Sequence, residues 1–401
     1  MSVFRLFLVA ALAAGLASAE EAPRAQDTRE YELVQGTLGE RDPAKRLATL
    51  ETWRQEYPST ALGEMRAKLY LQTYREAGRH ADAVAAAERV LELAPEDFAA
   101  HYTLASLAPA LGSIDEADRA RAERSARELL DGGIATQFDL SNKPTGVTAD
   151  AWESARVQSE AASLRTLGWL AMERKQPAEA QSELERALRI DPTSAQASYW
   201  LAQSVLAQRD PGKNELAFFS LARAATLTGP GELPAESREQ IRAYLQKTYQ
   251  AFAGTLDGLD EIERLAALSA LPPAEMPRVR SAAEREDDAH RAFCTDKPLA
   301  CVYENLRAAL TGPDGPQTWA ELQEKVTPQI ELYVVGNEPA DRPLALRLSP
   351  QKGGKAEVVL KLSNRLRAPI PAGRAVRVEG VARALGREPF LLTLEGGRVL
   401  P

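Results

Sequence analysis

The 401-residue sequence predicts a mainly α fold: an α-solenoid of stacked helix pairs followed by a small all-β domain. The first observation is that apolar residues recur at helical spacing in Ala-, Leu-, Glu- and Arg-rich sequence from about residue 43 to 310. The second is a segment, 161–194, with the residue spacing of a repeated helix pair. The third is a change to strand-like alternation from Gln329 onward.

The first 19 residues have the composition of a cleavable secretory signal peptide. Arg5 precedes an apolar run over residues 6–16 and a small-residue stretch over residues 17–19. The run is too short to cross a bilayer, which takes about 20 residues. We therefore expect cleavage between Ala19 and Glu20, a periplasmic or secreted protein, and no stable membrane insertion. Residues 20–42 are predicted to form an N-terminal linker and helix.

The segment 161–194 places small residues where two antiparallel helices must approach closely and leucines where the next repeat packs. Its signature residues are Leu164, Leu167 and Gly168 on a first helix, Ala180, Leu184, Ala187 and Leu188 on a second, and Pro192 after it. These residues resemble the tetratricopeptide repeat (TPR) at most of its signature positions. The resemblance implies helix pairs that stack into a concave surface, on which TPR proteins bind segments of other proteins.

Weaker copies flank this repeat. Residues 64–97 have Tyr74, Gly78, Ala83, Leu91 and Pro95 at the same offsets, although Leu71 replaces a small residue. The copy that begins at Ala195 matches only after an insertion at residues 210–212. We therefore predict degenerate and moderate helix pairs over residues 43–131, and repeats with capping helices over residues 149–270.

Two segments interrupt this helical pattern. Residues 132–148 have no helical period and are predicted to be an irregular loop, an ordered crossover that buries Ile134, Phe138, Leu140 and Val147. Residues 271–327 are predicted to be a helical linker.

The predicted linker contains Cys294 and Cys301, which are the two cysteines of the sequence. A disulfide between them is favoured in an oxidising exported compartment. Unpaired thiols remain an alternative. So does a redox centre, although the spacing C-x6-C is not the C-x-x-C of reactive thiols.

Residues 328–401 are predicted to form a separate β-rich domain. Five short alternating segments there are separated by Pro- and Gly-bearing turns, and Gly380 lies where a strand of a small barrel could bend. Both an OB-like barrel and a small sandwich fit this pattern. The whole chain thus resembles exported bacterial TPR proteins with a C-terminal β-rich, OB-like domain.

The sequence contains no recognisable catalytic motif, metal-ligand spacing or cofactor motif. Its three histidines, His80, His101 and His290, are far apart in the sequence and lack a ligand pattern such as H-E-x-x-H. We therefore expect that the protein is not an enzyme, with no catalytic residue, no metal and no cofactor.

The TPR resemblance also indicates which residues would line the concave groove. The positions that face the groove in the TPR family correspond in this sequence to Lys68, Gln72, Arg75, Arg165, Trp169, Met172, Tyr199 and Gln203. Such an aromatic and basic groove would suit an acidic or extended segment of a partner. The alternative is that Trp169 and Tyr199 belong to an ordinary helix-packing core.

These observations favour a non-catalytic exported scaffold or adaptor that mediates protein–protein interactions in the bacterial cell envelope. Its partner would be an unknown envelope or secreted protein. Nucleic acid is not expected, because the β-rich domain offers only Tyr333 and Phe390 for stacking on bases. The alternative is an enzyme, or a carbohydrate-, lipid- or small-molecule-binding protein, with its site in the β domain.

Overall fold

The computed structural model describes residues 23–112 and 114–401 and divides the chain into two compact units at Val279 and Arg280. We call residues 23–279 the helical unit and residues 280–401 the barrel unit. The predicted signal peptide and its cleavage site at Ala19/Glu20 lie outside the described residues. Within the described residues, no helix has the length and apolar character needed to span a bilayer.

The helical unit consists of helices that pack mainly on their neighbours in sequence, as in a solenoid. They are α1 (Thr28–Gly39), α2 (Pro43–Glu56), α3 (Gly63–Glu76), α4 (His80–Leu93), α5 (Phe98–Leu107), α6 (Glu116–Glu128), α7 (Ile134–Gln137), α8 (Ala149–Glu173), α9 (Pro177–Ile190), α10 (Ala195–Ala207), α11 (Asn214–Thr226), α12 (Ala235–Ala253) and α13 (Leu259–Leu268). Several begin where an Asp, Ser or Thr side chain accepts a hydrogen bond from the first turn, as Asp97 does for α5 and Ser194 for α10.

The pair α8 and α9 contains the strongest predicted repeat. Gly168 lies against Leu184, and a Cβ atom at Gly168 would be only 2.6 Å from Leu184 Cγ. Ala180, Leu184 and Leu188 on α9 are fully buried in this contact. The helix α8 is longer than the repeat requires, because it begins at Ala149 and runs for 25 residues. Its N-terminal half therefore packs on the chain that precedes it.

The crossover before α8 is ordered, and it is more regular than the predicted loop at 132–148. It contains a π-helical turn (Leu129–Gly133), the short helix α7 and a 3-10 turn (Leu140–Asn142). Ile134 and Phe138 are buried, and Trp152 Nε1 donates to the Phe138 carbonyl at 3.1 Å. The expectation for Leu140 was wrong: it is 75% exposed, because it opens the 3-10 turn that Asp139 caps.

In the barrel unit, three helices precede five strands. They are α14 (Ala282–Asp296), α15 (Pro298–Thr311) and α16 (Gly315–Leu322), followed by β1 (Ile330–Glu338), β2 (Ala345–Ser349), β3 (Val358–Leu362), β4 (Ala375–Arg387) and β5 (Phe390–Leu400). The strands close into a barrel in the order β1-β2-β3-β5-β4, with β3 and β5 parallel and the other pairs antiparallel. A barrel, not a sandwich, is therefore the form of the β domain.

Apolar side chains fill the barrel. They are Ile330, Leu332, Val334, Leu346, Leu348, Val358, Leu360, Leu362, Val376, Val378, Ala382, Leu392 and Leu394. Gly380 lies at a register shift between β4 and β5, where a Cβ atom would be 3.0 Å from Leu394 Cβ. The bend predicted at Gly380 is thus a β-bulge that needs a residue without a side chain.

The helices α15 and α16 pack on the barrel core and α14 packs on α15, whereas the sequence predicted a linker over residues 271–327. Tyr303 on α15 is buried in the barrel core, and its hydroxyl donates to Glu357 at 2.8 Å. Burial and this carboxylate raise the pKa of Tyr303. These helices are therefore part of the barrel unit, because α15 and α16 pack on the barrel and α14 packs on α15.

Candidate binding groove

Two adjoining cavities form a groove on the helical unit, and Gln196 lines both of them. The first has a volume of about 400 Å³ and is lined by Ser106, Pro109, Ala110, Ala162, Arg165, Thr166, Asp191, Thr193, Ser194, Gln196, Trp200 and Gly231. The second has a volume of about 490 Å³ and is lined by Gln196, Tyr199, Gln203, Leu233, Ser237, Gln240, Ile241 and Tyr244. The groove therefore crosses α8, α10 and α12, the first helices of successive pairs.

The helix α10 forms the middle of the groove. Ser194 accepts a hydrogen bond from the Ala197 amide at 3.2 Å and so begins the helix. Gln196, Tyr199 and Gln203 then follow at spacings of three and four residues, which places them on one helix face. We call these three residues, together with Tyr244 on α12, the polar row.

A close contact between two turns forms one wall of the groove. The Ala195 amide donates to the Gly231 carbonyl at 3.1 Å. A Cβ atom at Gly231 would lie 2.0 Å from the Thr193 carbonyl oxygen, and its φ is +81°. Glycine is required here both for the approach and for the backbone conformation.

The polar row has unused hydrogen-bonding capacity. Within the part of the chain that the structure describes, the side-chain amides of Gln196 and Gln203 and the hydroxyls of Tyr199 and Tyr244 make no hydrogen bond. The side chains of Gln196, Tyr199 and Gln203 are half-buried, and that of Tyr244 is 43% exposed. Amide side chains both donate and accept, so this row can pair with the main chain of an extended segment.

The positive charges expected in the groove are already neutralised. Arg165 Nη1 lies 3.5 Å from Asp191 Oδ2. Lys68 Nζ lies 2.7 Å from Glu64 Oε1 and 3.0 Å from Asp97 Oδ2, in a separate cavity of about 760 Å³ that also contains Glu96. Arg165 and Lys68 therefore line cavities, but neither makes its cavity basic.

Three predicted groove residues on α3 and α8 line neither cavity and make contacts within the helical unit instead. Arg75 donates to Thr103 Oγ1 at 2.7 Å and lies over the Tyr102 ring, 5.3 Å from its centroid. Desolvation by partial burial lowers the pKa of Arg75 to about 9. Gln72 donates to Glu76 on its own helix at 2.8 Å, and Met172 packs on the α9–α10 core.

The assignment of Trp169 to the groove was wrong. Its side chain is only 7% exposed and packs with Ala108, Ile114, Ala122 and Leu170. The physical reason is that α6 and the 3-10 turn after α5 cover this face of α8. Trp169 is therefore a core residue, whereas Tyr199 is half-buried and reaches the groove.

The groove residues that the sequence did not indicate include Gln196 and Trp200 on α10, and others on α12 and in the turns. On α12, Ser237, Gln240 and Tyr244 follow one another at helical spacing, but this helix was interpreted only as a cap for the solenoid. Their spacing was the available signal. For Gly231 and Thr193 the sequence contained no signal, because their contact joins turns that are 38 positions apart in the chain.

Comparison with known proteins decides the nature of the helix pairs. The family model of the tetratricopeptide repeat matches residues 71–126 and 165–228. Two segments of the helical unit are therefore similar to tetratricopeptide repeats. This confirms the predicted fold class, a TPR-type α-solenoid with a small all-β domain, and indicates protein partners. A search of curated proteins finds no match for this chain.

The TPR matches include most of the groove. The second matched segment begins at Arg165 and runs through α9 and α10 to the end of α11, so it contains Gln196, Tyr199 and Gln203. The α12 side of the groove lies beyond it. The groove is therefore formed by TPR helices together with the helix that follows them.

The predicted cysteine pair is a disulfide in the structure. Cys294 on α14 and Cys301 on α15 are bonded, with their Cα atoms 4.9 Å apart. The bond joins the two helices across the turn at Lys297 and Pro298.

Proposed function

We propose that the protein is a non-catalytic exported scaffold or adaptor of the bacterial cell envelope, which binds an extended segment of a partner protein in the groove. The observation that carries the proposal is the polar row: four half-buried or exposed polar side chains, three on the TPR helix α10 and one on α12, with no hydrogen-bond partner among the described residues. An extended peptide presents main-chain donors and acceptors along its length, so it can satisfy such a row.

The charges in the groove favour a neutral polar segment over an acidic one. Arg165 is already paired with Asp191, and a carboxylate on the partner would have to displace that aspartate. The groove offers aromatic surface at Tyr199, Trp200 and Tyr244 beside the amides. Aromatic side chains contribute contact area at low conformational cost.

Replacing Gln196 and Gln203 together with alanine is expected to weaken partner binding about thirtyfold, because each amide contributes about 1 kcal/mol of hydrogen bonding. The measurement is photo-crosslinking in intact cells, with a crosslinking amino acid in place of Ser237, followed by quantification of the main adduct. The matched control is Gln55→Ala with Gln250→Ala, two exposed glutamines outside the groove. Equal adduct yields from both double variants would refute the proposed binding site.

The proposed export rests on the composition of residues 1–19. If the signal is cleaved as proposed, the mature protein begins at Glu20 and is found in the periplasm or the medium. Mass spectrometry of the protein from the envelope fraction measures this directly. Deleting residues 2–19 should retain all of it in the cytoplasm, and a full-length chain that still begins at Met1 in the envelope fraction would contradict cleavage.

We also propose that the β domain is OB-like. The supporting observations are its five strands, the order β1-β2-β3-β5-β4 around the barrel and the parallel pairing of β3 with β5. Because apolar side chains fill its interior, the barrel acts in this proposal as a folded module and not as a container for a ligand.

A further inference from the structure

A compact group of metal-ligating side chains surrounds the disulfide where α14 meets α15. His290 and Cys294 are four residues apart on α14, and Cys301 and Asn305 are four residues apart on α15. Residues at this spacing lie on one helix face, so the two pairs face each other. The ligand atoms of His290, Cys294 and Cys301 lie within 4.8 Å of one another, and this is the one such group in the described part of the chain.

We propose that reduction of the Cys294–Cys301 disulfide converts this group into a binding site for a thiophilic metal ion, with Zn²⁺ as the best match. The ligands would be His290 Nε2, Cys294 Sγ and Cys301 Sγ. A thiol reductant, itself oxidised to its disulfide, supplies two electrons and two protons and leaves two cysteine thiols. Binding of Zn²⁺ then releases both thiol protons to water, so that two thiolates neutralise the charge of the ion.

The distances in the cluster fit tetrahedral coordination. Zn–S and Zn–N bonds of about 2.3 and 2.0 Å at a tetrahedral angle separate the sulfur and nitrogen ligands by about 3.6 Å. Cys294 Sγ and His290 Nε2 are 3.5 Å apart. The two sulfur atoms must move apart, to about 3.8 Å, once the bond between them is broken. Cys301 Sγ must also move closer to His290 Nε2, because the three ligand atoms are spread over up to 4.8 Å. Side-chain rotation at the two cysteines provides this movement without a change in either helix.

Asn305 supports the site as a positioning residue. Its Nδ2 donates to Cys301 Sγ at 3.3 Å, and a hydrogen bond of this kind stabilises a thiolate ligand. Its Oδ1 lies 3.0 Å from His290 Nε2 and holds the imidazole beside the sulfur atoms. When the metal binds, His290 Nε2 exchanges this contact for the ion, while the bond from Nδ2 to the sulfur is retained.

The burial of the ligands indicates an open fourth position. Cys301 is 6% exposed, Cys294 is half-buried and His290 is exposed. An ion bound among them therefore keeps one side toward solvent. Three protein ligands and one water is the arrangement of zinc sites that remain accessible, whereas closed structural sites use four protein ligands.

The test uses the full-length chain, reduced with a phosphine under anaerobic conditions, and measures Zn²⁺ affinity by competition with a chromophoric chelator. Reduced protein is expected to bind one Zn²⁺, and oxidised protein none at this site. His290→Ala should weaken binding by at least about tenfold. The matched control, His80→Ala, removes an exposed histidine of the helical unit and should leave the affinity unchanged.

Two controls keep the result interpretable. The variant Cys294→Ser with Cys301→Ser measures binding elsewhere on the chain, and Co²⁺ as a probe reports thiolate ligation through its charge-transfer absorption. Equal Zn²⁺ binding by this variant and by the reduced protein would overturn the proposal. So would a His290→Ala variant that binds as tightly as the unmodified chain. Because His290 is exposed, its replacement leaves the packing of α14 intact.

Discussion

Replacing Gly168 with alanine is expected to lower the free energy of unfolding of the helical unit by about 2 kcal/mol. The new Cβ atom would lie 2.6 Å from Leu184 Cγ and 2.9 Å from its Cδ2, and Leu184 is completely buried. Overpacking of this kind costs up to about 3 kcal/mol. The higher helix preference of alanine offsets about 1 kcal/mol of that cost. Urea unfolding of the full chain, followed by circular dichroism, measures the difference.

The matched control is Gly36→Ala in the middle of α1. There the nearest atom to a new Cβ would be Thr49 Cγ2 at 3.8 Å, which is ordinary contact. Only the gain in helix preference remains, so this variant should be more stable by up to about 1 kcal/mol. The two substitutions should therefore have opposite signs. A gain in stability from both would show that α8 and α9 are farther apart than the structure has them.

Replacing Arg223 with methionine is expected to cost about 3 kcal/mol, the largest loss that we predict. The guanidinium is 6% exposed, and its Nη1 donates to the carbonyls of Ala266 at 2.7 Å and Ala267 at 3.1 Å. Its Nη2 donates to the Pro192 carbonyl at 3.0 Å. Arg223 thus joins α11 to the last turn of α13 and to the turn after α9. Methionine keeps the apolar volume but leaves three carbonyl groups without this donor.

The control for Arg223 is Arg189→Met on α9. Arg189 pairs with Glu185 at 2.9 Å, but its side chain is 59% exposed. Such surface pairs contribute less than about 1 kcal/mol, so this variant should unfold at nearly the same urea concentration as the unmodified protein. If both arginine variants lost equal stability, removal of positive charge, and not loss of the buried carbonyl contacts, would be the cause.

Much of the helical unit follows from local sequence. Small residues at Gly168 and Ala180, with leucines at helical spacing, predict a close helix pair, because the contact is made within one repeat. The same reasoning assigned both Tyr199 and Trp169 to the groove, but in the structure Tyr199 lines a cavity whereas Trp169 is buried. Both are aromatic residues on the first helix of a pair. They differ because the crossover before α8 brings α6 back onto the face that contains Trp169, a contact between distant segments.

In the barrel unit, too, the sequence predicted local features but not the contacts between distant segments. Alternation predicted its strands and the bend at Gly380, since both depend on neighbouring residues. Closure of the barrel depends on the parallel pairing of β3 with β5, and the strand pattern does not specify it. The packing of α15 and α16 on the barrel likewise depends on where the closed barrel lies, so the sequence indicated only a linker.

The sequence by itself determined the helical and strand segments, the repeat at 161–194 and the pairing options of Cys294 and Cys301. The period of the apolar residues, the positions of small residues and the motif spacings involve residues within one or two helical turns or one strand. They are therefore visible in the sequence without knowledge of the segment that packs on them. Only the tertiary structure decided that Arg165 is neutralised by Asp191, that Arg223 joins three segments and that His290 lies beside the disulfide. Each of these contacts depends on which helix faces pack on each other. That packing joins segments that are distant in the sequence, and the local residue pattern does not show which segments will meet.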